Sequence, residues 1–229
     1  MVSQSQKSEA LTLGNGGRSL ALWEILSVVT SCLIAEWAIH TFAEKGAWIG
    51  AIPILLGVSL MLFSHRQRSE TPGDLGFRLD NFSAACRLLV LPTLIAIALI
   101  ALGSWLISGH NFSLHPARPR LFFVPAWALF QQYALQGFIN RRAQIVFGSG
   151  QKSVLAVALV FSLLHLPSPL LGLLALAGGV VWASVYQRRP NLFALAISHS
   201  AVSLALSLAI PPNMTNNLRI GFKYFGLDI

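Results

Sequence analysis

The chain has 229 residues, of which 55% are hydrophobic and 10% charged; 16 Lys and Arg stand against 8 Asp and Glu, giving a net charge of +8 and a mean hydropathy of +0.65. So much apolar side chain in so short a chain excludes a soluble enzyme and predicts an all-α polytopic membrane protein, with no room for a separate soluble module. The basic excess then reads as topology signal and anionic-lipid contact rather than nucleic-acid binding, and Cys32 and Cys86, far apart and without CxxC spacing, point to neither a disulfide framework nor a thiolate metal site.

In chain order, Met1 to Arg18 is polar, rich in Ser, Gln and Gly, and reads as a disordered cytoplasmic tail, leaving residues 19–229 as a single membrane domain. Apolar runs follow near Leu20 to Phe42, Ala47 to Ser64, Leu88 to Ile107, Leu121 to Ile139, Ser153 to Leu166, Leu170 to Tyr186 and Asn191 to Ile210. With about 20 residues per crossing, they predict a bundle of about seven transmembrane helices. The first is too long for a signal h-region and has no small-residue cleavage site after it, so it belongs to the mature chain. It carries Glu36, beside Trp37 and one turn from His40. A carboxylate inside lipid is a functional candidate unless it reaches the headgroups, as Glu24 can at the inner end. From Asp74 to Ser83, apolar residues alternate with charges over too short a distance to cross lipid, which predicts an interfacial amphipathic segment. Between the fifth and sixth runs, His165-Leu166-Pro167-Ser168-Pro169 forbids helix continuation and forces a tight turn.

Lys and Arg are retained on the cytoplasmic side. With the amino terminus inside, that side receives Lys7, Arg18, Arg66, Arg68, Arg78, Arg87, Arg141, Arg142, Lys152, Arg188 and Arg189, and the other side keeps Lys45, Arg118, Arg120, Arg219 and Lys223. Arg141 and Arg142, and Arg188 and Arg189, directly follow apolar runs on the inner side and are expected to form a belt on anionic lipid.

Between Asn81 and Leu227 there is no Asp or Glu, so carboxylate chemistry is excluded from the stretch with most of the polar clusters. Gln131, Gln132 and Gln136 sit on the fourth run. At 100° per residue Gln132 and Gln136 share a face with Gln131 at its edge, and lipid satisfies none of their amides. They are either interhelical hydrogen-bonded glue or the wall of a pocket. Phe161 and His165 are one helical turn apart, as are His199 and Ser203. Ser198, Ser200 and Ser207 surround His199 without a nucleophile-elbow pattern, and no acid orients the imidazole, which argues against a Ser-His-Asp triad. Two histidines without a carboxylate are a poor zinc set, so neither metal nor cofactor is expected.

These residues, in this order, resemble the CAAX-protease and bacteriocin-processing (CPBP, or Abi) family of intramembrane proteases, whose motifs are an acidic-pair helix, an FxxxH helix and an HxxxN helix. Phe161-Ser162-Leu163-Leu164-His165 matches the second motif. Leu75-Gly76-Phe77-Arg78, Gly179-Val180-Val181 leading to Tyr186, and Asn191-Leu192-Phe193 are similar to common family wording, so the resemblance covers roughly Asp74 to Ile210. Where the family has EExxxR, this chain has Gln131, Gln132 and Gln136; where the third motif ends in asparagine, it has Ser203. The resemblance implies that the first glutamate activates a water which attacks the peptide carbonyl, while the histidines and asparagine orient that water and stabilise the oxyanion.

A glutamine amide is not basic near neutral pH and cannot take that proton. The expectation is therefore a catalytically degenerate relative that acts as a binding, chaperone or immunity-type protein in a membrane such as the bacterial inner membrane. Its expected partners are membrane lipids, other membrane subunits or a peptide or prenylated substrate. Two alternatives stay open: a structural subunit of a larger membrane complex, and an active intramembrane protease in which Glu36 replaces the missing base. Gln131, Gln132, His165 and His199 are expected to converge on one intramembrane cavity, because each would otherwise leave polar atoms in hydrocarbon.

Overall fold

The structure, a computed structural model, describes residues 4–39, 49, 51–108, 117–209 and 219–225. Residues 1–3 of the expected tail, His40, the first residues of the second apolar run and Ile210 lie outside them. The described elements are all helical: α1 (Gln4–Leu33), running on into a π-helical segment (Ile34–Ile39); α2 (Ala51–Gln67); the short α3 (Pro72–Leu75); α4 (Phe82–Ser108); α5 (Ala117–Gln132), which continues through a second π-helical segment (Tyr133–Asn140) into α6 (Arg141–Phe147); α7 (Gln151–Leu163); α8 (Pro169–Arg188); α9 (Leu192–Ala209); and a closing 3-10 turn (Gly221–Phe225). Each of the seven apolar runs is carried by a helix at its expected place. Four helical stretches are long and apolar enough to cross a membrane, residues 16–37, 82–106, 169–188 and 192–209, while α7 is apolar but shorter. Helix α1 starts at Gln4, so it reaches back through the stretch read as a tail.

The bundle is inverted relative to a soluble protein. Phe138, Val157, Leu192 and Leu195 are fully buried, whereas Leu56, Leu91, Leu99 and Leu173 are more exposed than not. That outward apolar surface suits lipid. Helices α7 and α8 pack closely because small residues meet: a Cβ placed on Gly179 would lie 2.8 Å from Ala158 Cα. Backbones approach this far in membranes only where side chains are minimal. The turn between them obeys the prolines, with Ser168 accepting from the Leu171 N–H as the cap of α8 and Pro169 at its first turn. Helix α9 packs against α4 and α5, and α1 packs against α2 and α6.

The segment between α2 and α4 is pinned to the start of α9. Thr71 and Asp74 form a capping box around α3, and Gly76 ends it with φ 99°, a conformation that favours glycine. The Leu192 N–H donates to Gly76 O at 2.8 Å, Asn191 Nδ2 donates to Arg78 O and Asn81 Oδ1, and Tyr186 Oη donates to Leu75 O at 2.9 Å. Rings of Phe77 and Phe193 meet edge to face. Two of the short sequence matches, Leu75 to Arg78 and Asn191 to Phe193, are thus the two halves of one joint.

Candidate functional site

Helix α5 delivers the glutamines just where its winding changes. A π-helical turn closes i→i+5 hydrogen bonds and is frequent at functional positions. Here it begins directly after Gln132. The three carboxamides meet three surroundings. Gln131, half-buried, lines a cavity. Gln132, fully buried, donates from Nε2 to His199 Nδ1 at 3.1 Å. Gln136, also fully buried, accepts from Asn140 Nδ2 at 2.7 Å.

The two histidines take opposite tautomers. His165 Nδ1 donates to Phe161 O at 2.7 Å, and a carbonyl only accepts, so the ring's Nε2 carries lone pair rather than proton. His199 Nδ1 accepts from the Gln132 amide, so its proton sits on Nε2. A carboxylate at 132 would require the reverse tautomer. The Phe161 ring separates the imidazoles, edge to face with His165 at 4.6 Å and with His199 at 5.8 Å between centroids, and Trp182 stacks on His199 at 4.4 Å. Trp182 Nε1 in turn donates to Ser198 Oγ, which pairs with Thr93 Oγ1 at 2.7 Å. Ser203, one turn beyond His199, is half-buried and lines neither this cavity nor the apolar one between α4, α8 and α9.

The cavity at Gln131 has a volume of about 130 Å³ and is walled by α1, α2, α5 and the end of α7. Its polar groups are Gln131, His165, Ser31, Cys32 and Glu36. Glu36 stands in the π-helical segment of α1 and lines the same cavity as His165 and Gln131. Four residues expected in one cavity divide accordingly: Gln131 and His165 line it, while Gln132 and His199 bond to each other behind Phe161. Among the described residues no three His, Cys, Asp or Glu side chains gather in a metal-binding arrangement. Ile220, just before the 3-10 turn, also lines the cavity. Gly221 (φ 59°) lies so close to α1 that a Cβ on it would come 2.6 Å from Glu36 O.

Sequence reasoning missed two polar networks. Gln132, Gln136, Asn140 and Gln144 recur every fourth residue, a period visible in the sequence. Asn140 Oδ1 accepts from Gln187 Nε2 at 2.9 Å and from Gln144 Nε2 at 3.2 Å, and Gln187 reaches Ser153 Oγ and the Gly150 N–H. The second network overturns part of the arginine belt. Arg142 is 0% exposed, so it does not contact lipid. It pairs with Glu70 at 2.8 Å and Glu24 at 3.3 Å, donates to Ser64 Oγ, and lies 4.6 Å over the Phe138 ring. Arg141, half-buried, pairs with Glu70 and donates to Asp74 O. The physical reason is that acids of α1 and of the turn after α2 draw the guanidiniums inward, where desolvated charges need partners. Arg188 and Arg189 remain exposed. Glu24, 7% exposed, is likewise held in the bundle by Ser64 and Arg68 rather than in headgroups. Burial raises the Glu70 carboxyl, but hydrogen bonds from His65, Arg141 and Arg142 outweigh it and hold the pKa at about 2.

Residues 119–205 match the family described as Type II CAAX prenyl endopeptidase Rce1-like. The matched stretch begins in α5 and ends in α9, so it contains Gln131, Gln132, Gln136, Phe161, His165, His199 and Ser203 and leaves out Glu36. Neither a curated protein nor a solved structure matches the chain. The chain is an integral membrane protein similar to the CAAX intramembrane endopeptidases.

Proposed function

From that similarity, we propose that the protein is a binding member of this fold, one that holds a peptide or another polar ligand in its intramembrane cavity without hydrolysing it. The observation that carries the reading is the Gln132–His199 bond. Peptide hydrolysis requires a base to take a proton from water as its oxygen attacks the carbonyl, and here amides occupy both acid positions. One amide donates into the histidine, and neither accepts a proton near neutral pH. Loss of a general base typically removes about 10²- to 10⁴-fold of rate. What the site keeps is recognition: an acceptor at His165 Nε2, an amide at Gln131 and aromatic walls. The arginines Arg68, Arg141, Arg142, Arg188 and Arg189 gather at the end of the bundle where α1 enters its apolar stretch, which supports a cytoplasmic amino terminus, as in a bacterial inner membrane.

A second reading is favoured by one observation, the position of Glu36 in the same cavity as His165. There it would take the water proton in place of the family's glutamate and pass it to the departing amine. Cleavage of short peptides, prenylated and plain, by purified protein separates the two. The binding reading expects none from wild type or Glu36→Gln and a measurable rate from Gln131→Glu. Cleavage by wild type that Glu36→Gln abolishes would replace the first reading with the second.

A further inference from the structure

Among the described residues, no hydrogen bond or ion pair engages the Glu36 side chain, although its neighbours in the cavity are mostly apolar. A half-buried carboxylate on a mostly apolar wall gains from a cationic partner. The rest of the lining bears on the kind of partner. His165 Nε2 only accepts, because Nδ1–H is committed to Phe161 O, and Ser31 Oγ has spent its proton on Ser27 O at 2.8 Å. No Lys or Arg of the described chain lines the cavity. Three aromatic rings do, Trp127, Phe130 and Phe161, and an organic cation over the face of such a ring is held favourably. The volume of about 130 Å³ exceeds by far the roughly 10–15 Å³ that one water needs.

We propose that this cavity is a binding site for an organic ammonium group on an apolar chain, with Glu36 as its counter-ion and His165 Nε2 and the Gln131 carbonyl as hydrogen-bond acceptors. An ammonium brings three donors and one positive charge to a wall that offers acceptors and one negative charge. The apolar chain extends along the α1–α2 side, past Pro53, Gly57 and Val58, which carry no polar side-chain atoms. The inference rests on the binding reading above and names its ligand class. The ammonium belongs either to a free alkyl amine or to the amino terminus of an apolar peptide.

The test is calorimetric titration of the full chain in a neutral detergent at pH 7, with octylammonium chloride, octanol, a short apolar peptide and the same peptide acetylated at its amino terminus. The expected result is that at least one amine binds ten-fold or more tightly than its neutral counterpart, and that Glu36→Gln reduces that preference to under two-fold. Preference confined to the peptide pair identifies a peptide terminus; preference for octylammonium identifies a free amine. Ala134→Phe, which fills the cavity with Glu36 intact, should abolish both, and it decides the matter should Glu36→Gln fail to fold. Equal binding of charged and neutral ligands by wild type, or an amine preference untouched by both variants, would overturn the assignment. Peptide cleavage by wild type would instead sink the binding reading while leaving the amine preference to be judged on its own.

Discussion

At the scale of single residues, the most consequential side chain is Arg142. It is fully buried against Glu24 and Glu70, and removing one member of such a group leaves uncompensated charge in low dielectric. Arg142→Ala should therefore cost about 3–5 kcal/mol, seen as a lowered unfolding midpoint in mild detergent. Arg188→Ala or Arg189→Ala, at exposed positions, should leave the midpoint within about 0.5 kcal/mol of wild type and weaken adsorption to anionic vesicles only. Glu70 sets the acid limit of the fold. Its carboxyl sits at about 2, below the ordinary 4.5, so its contribution is complete above pH 4.5 and is lost as pH falls through about 2. By linkage the loss across that window is about 3 kcal/mol. Unfolding followed by tryptophan fluorescence should show this loss in wild type and a flat profile in Glu70→Gln; equal slopes in the two would assign the acid sensitivity elsewhere.

At the scale of elements, a small-residue contact fixes how far apart α7 and α8 sit. Gly179→Leu has no room beside Ala158, so the helices must part, and the Trp182 and Phe161 rings that both meet His199 must part with them. The expected outcome is destabilisation of more than about 2 kcal/mol. Gly103, with nothing within 4 Å of its would-be Cβ, should accept alanine freely. Element positions were legible in the sequence because hydrophobic runs and prolines act locally: every apolar run is carried by a helix, and Pro167 and Pro169 mark the turn. Winding was not legible. Nothing in Tyr133 to Asn140 announces a π-helical segment, and nothing in the sequence shows that Gln131, Gln132 and Gln136 have separate surroundings. Partnership across distance was equally hidden, since Glu70 and Arg142 are 72 residues apart and Asn81 and Asn191 are 110 apart. The carboxamide period from Gln132 to Gln144 was visible and points to the polar spine that Asn140 anchors.

At the scale of the whole molecule, the cavity draws its walls from both parts of the chain: Glu36 and Cys32 come from α1, while Gln131 and His165 come from the stretch similar to the endopeptidases. A truncation beginning after α2 should therefore keep the Gln132–His199 pair and lose the cavity, with loss of ligand binding as the measurement. The same division governs charge. Seven of the eight acidic residues precede Asn81, whereas ten of the sixteen basic ones follow it. In chain order, Glu24 and Glu70 come well before Arg141 and Arg142. The first hairpin by itself holds Arg68 against Glu24 and lacks the Arg142 that completes the group. Two co-expressed fragments, cut at the exposed Leu79, would separate Glu24 and Glu70 from Arg141 and Arg142 and should reassemble into one bundle that co-purifies, whereas the later fragment carrying Arg142→Leu should be recovered alone.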